Sequence, residues 1–205
     1  MNDPELNGRT VYARDLGARD WKVLDRFPSR NVYRLRNELT LGGGLFDPTL
    51  RLLPVHREDG PALHIRLRIR APAIGVRLTA YMEAAGQRRE IRIDGGGTDR
   101  EPHEVNWAVV APGASQGLSP ADGSVELPAT STTFDVVVGV IVTDATRTGA
   151  AADRFERRLP ARVANSGGRP SVEAQRPGIG WHLAHFPSRA VWLRQSIDGV
   201  IAEIG

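Results

Sequence analysis

The segment Gly113–Gly117, with the sequence Gly-Ala-Ser-Gln-Gly, is the stretch whose residue types best match a catalytic motif. Glycine, serine and glycine at this spacing form the nucleophile elbow of serine hydrolases, where a strand leads into a strained turn that exposes the serine and a helix follows. The residues after Ser115 include Ser119–Pro120 and Asp122–Gly123, which do not form a regular helix. We therefore expect a flexible loop here, and a serine hydrolase that uses Ser115 is the third of three hypotheses.

The histidines do not match a known metal motif. His182 and His185 are three residues apart in a segment with the pattern of a strand and a turn, where this spacing puts side chains on opposite sides. His56, Asp59 and His64 could join them only if the fold brought distant segments together. The spacings differ from those of zinc motifs, and Asp94–Asp99 lacks the alternating carboxylates of a calcium loop. We expect no metal and no cofactor.

Three arginines alternate with apolar residues at the end of the segment Leu63–Arg70. Side chains of a β-strand point alternately to its two faces, so the apolar residues face a core while Arg66, Arg68 and Arg70 lie on the other face. At about 3.3 Å per residue they would form a row about 13 Å long. Two interpretations stay open: a solvated face in an arginine-biased protein, or an interface that meets carboxylates of another subunit.

The four tryptophans, Trp21, Trp107, Trp181 and Trp192, allow two interpretations. They could fill a core, or they could form a flat aromatic platform on which sugar rings stack. Trp21 and Trp181 precede predicted turns, which is compatible with exposure, whereas Trp192 lies in the middle of a predicted strand and is expected in the core. The second hypothesis is therefore a β-sandwich module that binds carbohydrate.

A short pattern occurs near both ends of the chain. It has a tryptophan, then Phe-Pro-Ser-Arg, then valine and an aromatic residue, in copies that begin at Trp21 and Trp181. The copies are either coincidental or one local device, a proline turn that directs an aromatic residue and an arginine to a similar surface. The second interpretation predicts a comparable backbone at Arg30 and Arg189. Together with the arginine row, the two copies give these candidate interface residues: Trp21, Phe27, Arg30, Arg66, Arg68, Arg70, Trp181, Phe186, Arg189 and Trp192.

Short apolar runs separated by turn residues organise the rest of the chain. The 22 glycines and 14 prolines lie mostly between these runs, and no stretch has a convincing helical period. This pattern is typical of an antiparallel β-sandwich or a jelly-roll-like fold. The predicted strands include Trp21–Leu24, Val32–Leu35, Leu50–Val55, Leu63–Arg70, a hairpin of 76–82 and 89–93 around Gly86, Val105–Val110, and Phe155–Val163.

Two further elements complete the predicted domain. Phe134–Thr143 is apolar on both faces, which predicts a central strand covered on both sides. Asp198–Gly199 separates two apolar runs, which predicts a C-terminal β-hairpin. Residues 1–20 have scattered glycines and charges and are predicted to be a loose N-terminal arm. Residues 21–205 are predicted to be a single β-sandwich domain.

Composition excludes several classes of protein. The chain has no cysteine, which excludes disulfides and thiolate chemistry, and it has no apolar run long enough to span a membrane. A net charge of +3 is too small to predict non-specific nucleic-acid binding. Lys22 is the only lysine among 27 basic residues, a bias that fits a GC-rich coding genome. The N-terminal residues do not resemble a signal peptide, so the expected location is a virion or the cytoplasm.

The leading hypothesis is a non-enzymatic structural or interaction protein that works as a subunit of a larger homo- or hetero-oligomeric assembly. The all-β pattern, the absence of a catalytic constellation, the expected arm and the repeated motif support it. A virion head or tail component of a phage is the concrete form that we expect. Its partners would be other protein subunits, with carbohydrate as the ligand of the alternative hypothesis.

Overall fold

The structure is a computed structural model that describes residues 10, 16–42, 45–69, 76–93, 103–114, 121–129, 132–144, 153–185 and 197–204. Side chains are described for the same residues except 36–42, 45–50, 76, 144, 153, 179–185 and 197–204.

A 3-10 turn, Gly17–Asp20, and a helix, α1 (Trp21–Arg26), precede the strands. The strands are β1 (Tyr33–Gly42), β2 (Leu45–Pro54), β3 (His56–Gly60), β4 (Ala62–Ile69), β5 (Val76–Ala84), β6 (Gln87–Ile93), β7 (His103–Val110), β8 (Gly123–Glu126), β9 (Thr133–Asp144), β10 (Asp153–Ser166), β11 (Arg169–Arg176), β12 (Ile179–His185) and β13 (Ile197–Ile204). No helix in the described part of the chain has the length and apolar character needed to cross a membrane.

Two sheets with a shared apolar core confirm the predicted all-β sandwich. The large sheet has the strand order β3-β11-β10-β9-β5-β6, with β12 pairing beside β11 on the same edge of β10. The small sheet has the order β13-β4-β7-β8. Every described pairing is antiparallel except β7 with β8.

The division into a 1–20 arm and a 21–205 domain stays a prediction.

The core is built from alternating residues of facing strands. In β4 the predicted alternation is confirmed, because Leu63, Ile65, Leu67 and Ile69 are buried. Valines of β9 pack in the same cluster from the large sheet. Burying such side chains contributes about 1.5–3 kcal/mol each, so the facing apolar sets supply the main stabilisation of the sandwich.

The outer face of β9 is covered by side chains rather than by a second sheet. β9 is central, between β10 and β5, as predicted. Its Gly139 lies opposite Tyr81 of β5 and Glu156 of β10. A Cβ at Gly139 would come within 2.6 Å of the Phe155 carbonyl oxygen and would also overlap the Tyr81 ring. Glycine is therefore required for Tyr81 to lie across β9.

The prediction that Trp21–Leu24 forms a strand is wrong, because these residues form the first part of α1. Trp21 and Leu24 are three residues apart and are both buried, which is the spacing of one helix face. The run Trp-Lys-Val-Leu is too short to distinguish the two periods by sequence alone. The adjoining Gly17–Asp20 turn contacts β9 and β10, so this segment covers part of the large sheet.

The predicted C-terminal hairpin around Asp198–Gly199 is also wrong. One strand, β13, continues through both residues and pairs with β4. Ile197 lies opposite Ile69 and Gly199 opposite Arg68, so Asp198 is an extra residue in the ladder. This arrangement is a β-bulge, which accepts the same turn-forming residues as a tight hairpin.

The two tryptophans of the repeated pattern have unlike conformations. Trp21 begins α1, whereas Trp181 lies within β12. Phe27–Arg30 forms a turn, as predicted for the first copy, but this turn joins α1 to β1 and not two strands. The second Phe-Pro-Ser-Arg copy, 186–189, lies outside the described residues, so the comparison of Arg30 with Arg189 stays a prediction.

Two leucines test the division between core and surface. Leu67 is 0% exposed in β4, and Leu52 of β2 is 68% exposed. Leu67→Ala should lower the free energy of unfolding by about 2–5 kcal/mol, because it removes buried contacts and leaves a cavity. Leu52→Ala, the matched control, should change it by less than about 0.5 kcal/mol. Chemical denaturation at low protein concentration measures both, and equal losses would contradict the assignment of the core.

Candidate interaction surface

The hairpin of β1 and β2 presents apolar side chains to solvent near its base. Tyr33, Leu35 and Leu52 are 56%, 61% and 68% exposed. Leu35 lies directly opposite Leu52, and Tyr33 lies opposite Pro54, so these residues share one face of the hairpin. Isolated exposed leucines are ordinary, but a contiguous apolar face marks an interaction site.

The register extends this apolar face along the hairpin. The next pairs at alternate positions are Asn37 with Leu50, Leu39 with Pro48, and Leu41 with Phe46. Alternate positions of a strand belong to one face, so four of the five pairs on the face of Leu35 are apolar on both strands. The intervening positions hold arginine, glutamate, threonine and aspartate residues, together with Leu53 near the base and Gly42 and Leu45 near the tip. The hairpin is therefore amphipathic by position from its base to its tip.

This hairpin forms a sheet of its own. β1 and β2 pair only with each other among the described strands and form a separate two-stranded sheet. Ten-residue strands at about 3.3 Å per residue are about 33 Å long. A two-stranded sheet without a covering layer is only marginally stable in water. The hairpin therefore has the length of an extended arm and, by position, one mostly apolar face.

Arg34 attaches the base of the hairpin to the large sheet. Its guanidinium donates hydrogen bonds to the Pro177 carbonyl oxygen and, at 3.3 Å, to Gln175 Oε1. It also lies 3.7 Å from the Asp20 carboxylate, and its side chain is only 9% exposed. The Val55 N–H donates to the Val32 carbonyl at 2.8 Å, which closes the base. The planar fork of arginine suits these several acceptors.

A groove lies where the hairpin meets the first Phe-Pro-Ser-Arg copy. It has a volume of about 170 Å³ and is lined by Phe27, Pro28 and Arg30 on one side and by Tyr33 and Pro54 on the other. The Arg30 guanidinium lies 4.7 Å from the centre of the Phe27 ring. Two of the predicted interface residues, Phe27 and Arg30, are therefore placed beside the exposed apolar face.

The arginine row lies on the outer face of the small sheet. Arg66 and Arg68 are exposed, as the alternation predicts, and Arg70 lies outside the described residues. Arg66 Nε is 3.3 Å from Glu104 Oε1. The charge of Arg66, which could meet a carboxylate of another subunit, is therefore paired with Glu104 of the same chain. Surface pairs of this kind contribute little to stability.

Trp21 and Trp107 are both buried, at 1% and 0% exposure. The Arg162 guanidinium lies 4.2 Å above the Trp21 ring and donates hydrogen bonds to Asp25 and Glu173. Burial of Arg162 works against its charge, yet these two carboxylates raise its pKa above the ordinary value. Neither tryptophan is available to stack on a sugar, which removes two of the four residues from the proposed carbohydrate platform.

For the remaining predicted interface residues the structure describes no side chain. Trp181 is a residue of β12, for which only the backbone is described. Phe186, Arg189 and Trp192 lie outside the described residues.

The sequence motifs with catalytic or metal chemistry gain no support from the described geometry. Ser115 lies outside the described residues, and the next described strand of the chain is β8. His182 lies within β12, and His185 ends that strand. No group of three or more His, Asp or Glu residues within the described part of the chain could hold a metal ion.

A polar cluster on the outer face of the large sheet was not predicted from the sequence. The Tyr81 hydroxyl donates a 2.6 Å hydrogen bond to Glu156 Oε1, and both residues are buried. Arg158 and Arg154 lie 3.4 and 3.9 Å from the Glu156 carboxylate. The Arg88 guanidinium lies 4.1 Å above the Tyr81 ring. Tyr81 and Arg88 are distant in sequence from Arg154, Glu156 and Arg158 of β10, so only the strand register could have identified the cluster.

Burial and the hydrogen bond to Glu156 both raise the pKa of Tyr81 well above its ordinary range. A neutral phenol is a good donor to a carboxylate, and the flanking guanidinium groups compensate the charge of Glu156. The arrangement fixes three strands to one another. It also borders a cavity of about 350 Å³ that is lined in part by Glu83, Asp135 and Arg158.

Residues 1–158 match the family described as Domain of unknown function (DUF7846). The chain belongs to this family. The match covers α1, the hairpin and the strands from β3 to β9, and it ends within β10. No curated protein and no solved structure matches the chain.

Removal of the Arg34 side chain should loosen the hairpin without unfolding the sandwich. Arg34→Ala should increase hydrogen exchange of the β1 amides, because the base loses its bonds to Pro177 and Gln175. Exchange in β9 should stay unchanged. Lys22→Ala, at an exposed position of α1, is the control. Unchanged exchange in β1 of Arg34→Ala would contradict the anchoring role.

The Tyr81–Glu156 bond predicts a specific alkaline behaviour. The unfolded chain loses the Tyr81 proton near pH 10, whereas the folded chain retains it, so this residue makes stability fall as pH rises above about 10. Tyr81→Phe should cost about 1–3 kcal/mol at pH 7, because Glu156 loses a buried donor. The difference from the unmodified chain should shrink above pH 10. Urea denaturation at pH 7 and pH 10.5 measures it, and a difference independent of pH would contradict the account.

Proposed function

We propose that this chain is a non-enzymatic interaction subunit of a larger protein assembly, and that it contacts other subunits through the apolar face of the β1–β2 hairpin. The observation that carries the proposal is the exposure of Tyr33, Leu35 and Leu52 on a two-stranded sheet that no other described strand covers. Exposing such an apolar surface to water is unfavourable in free energy, and covering it with another protein surface removes this cost.

Magnitudes indicate how much of the hairpin takes part. Burial of three large apolar side chains that are more than half exposed would contribute on the order of 4 kcal/mol. Association costs about 4–15 kcal/mol in lost freedom before any contact is counted. The three residues at the base therefore do not suffice, and the contact has to include the apolar positions nearer the tip, from Leu39 to Phe46.

The concrete assembly that we propose is a phage virion, with the chain as a head or tail component. The sandwich supplies a rigid body, and the hairpin supplies an extended arm for a neighbouring subunit. Phe27 beside the hairpin base would add an apolar contact, and Arg30, Arg66 and Arg68 would form secondary polar contacts.

Sedimentation velocity and electron microscopy of the purified chain test this proposal. The expected result is concentration-dependent association into dimers or larger particles. Leu52→Glu should shift the chain toward the monomer by at least tenfold in dissociation constant, since one buried leucine contributes about 1.5–3 kcal/mol. Leu16→Glu changes another exposed leucine, outside the hairpin, and should leave association unchanged.

Two results would contradict the proposal. One is a chain that stays monomeric at all concentrations and in the presence of candidate subunits from the same source. The other is an equal loss of association in Leu52→Glu and Leu16→Glu, which would indicate a general effect of added charge rather than a contact at the hairpin.

A further inference from the structure

The outer edge of β1 is a candidate site for pairing with another strand. Within the described residues β1 pairs on one side with β2 and with no strand on the other. It has a backbone N–H at each of its ten residues, because it contains no proline. β2 contains Pro48 and Pro54, which lack this donor, and prolines of this kind protect an edge against pairing. Of the two outer edges of the hairpin, that of β1 therefore offers the more complete set of backbone N–H donors for pairing.

The sequence of this edge is self-complementary about Asn37. Apolar residues lie two and four positions away on one side, at Leu39 and Leu41, and on the other side, at Leu35 and Tyr33. The adjacent positions carry opposite charges, Arg36 before Asn37 and Glu38 after it. An antiparallel pair of two β1 strands centred on Asn37 would therefore match apolar with apolar positions and arginine with glutamate.

We propose that two copies of the chain associate through their β1 edges, antiparallel, with Asn37 of one copy opposite Asn37 of the other. Leu35 then lies opposite Leu39 of the second copy, and Tyr33 opposite Leu41. Arg36 lies opposite Glu38 twice, once on each side of the two-fold axis. The result is a four-stranded sheet in the order β2-β1-β1-β2 with one continuous apolar face.

Charge selects this register over its neighbours. A shift of one residue puts the apolar set of one copy on the polar face of the other. A shift of two residues in one direction puts Arg36 opposite Arg36, and in the other direction it puts Glu38 opposite Glu38. Like charges directly opposite are destabilising, whereas opposite charges stabilise a cross-strand pair. The register centred on Asn37 avoids both like-charge pairs.

Arg36 lies opposite Arg51 of β2 in the same copy. In the proposed dimer Glu38 of the second copy lies on the other side of Arg36. The inference rests on the proposed function and names its first partner, a second copy of this chain.

The absence of cysteine permits a direct crosslinking test. Opposed residues of an antiparallel pair have Cα atoms about 4.5–5.5 Å apart, which is within the range of a disulfide. Asn37→Cys should therefore form a covalent dimer on mild oxidation. Leu50→Cys is the matched control, because Leu50 lies opposite Asn37 on β2. The two copies of position 50 would be three strand spacings, about 14 Å, apart and should not crosslink.

The charge pairs give a second measurement that needs no cysteine. Arg36→Glu should weaken association about tenfold or more, because two attractive pairs become repulsive. The double variant Arg36→Glu/Glu38→Arg should restore it, since it recreates the opposite-charge pairs in reverse. Sedimentation velocity measures all three chains.

The outcomes separate this inference from the proposed function. Association of the unmodified chain without crosslinking of Asn37→Cys, with equal crosslinking of Leu50→Cys, or without rescue by the double variant would overturn the register and leave the assembly proposal standing. A monomer that associates with nothing would overturn both. Selective crosslinking at position 37 together with charge rescue would support the edge-to-edge dimer.

Discussion

A β-sheet with one apolar face has to cover that face, and this requirement organises the whole chain. The sandwich meets it internally, because the apolar residues of β4 pack against those of β9 in one continuous core. Trp107 fills the interior of the small sheet and is completely buried. The same requirement is not met in the β1–β2 hairpin, where Leu35 and Leu52 face solvent. The two sheets of one molecule therefore differ in whether their apolar faces are covered within the chain.

The outer face of the large sheet shows how polar groups are placed where no second sheet covers a surface. Tyr81 crosses β9 above Gly139 and donates to Glu156, so a polar contact joins three neighbouring strands. The Gly17–Asp20 turn and α1 cover another part of this face, where Arg162 lies over Trp21. These contacts stabilise the sandwich, and the proposed interaction surface lies elsewhere, at the edge and face of the hairpin.

The sequence predicted those elements whose periodicity and length leave one interpretation. The strict alternation of β4 and the valine run of β9 gave correct strands and correct core residues. The wrong predictions concern segments whose residues are compatible with two different structures. Trp21–Leu24 fits one helical turn as well as a strand, and Asp198–Gly199 fits a bulge as well as a hairpin turn. In both cases the decision depends on tertiary packing, which a short segment does not encode by itself.

The candidate site was predicted less completely than the fold. Phe27 and Arg30 were identified and do lie beside the exposed surface, but the apolar face of the hairpin depends on cross-strand register. Leu35 and Leu52 are far apart in sequence, and each alone is an ordinary leucine of an edge strand. The Tyr81–Glu156 pair likewise requires three strands in register. Sequence periodicity shows which residues of one strand share a face. The register between strands shows which residues of different strands form one surface.

The central claim is that the hairpin is an intermolecular contact. Hydrogen exchange of the β1 amides, measured as a function of protein concentration, tests it most directly. The account predicts that protection from Tyr33 to Gly42 rises with concentration while protection in β9 stays constant, because association covers the hairpin and not the core. Exchange in β1 that is rapid and identical at every concentration would contradict the claim.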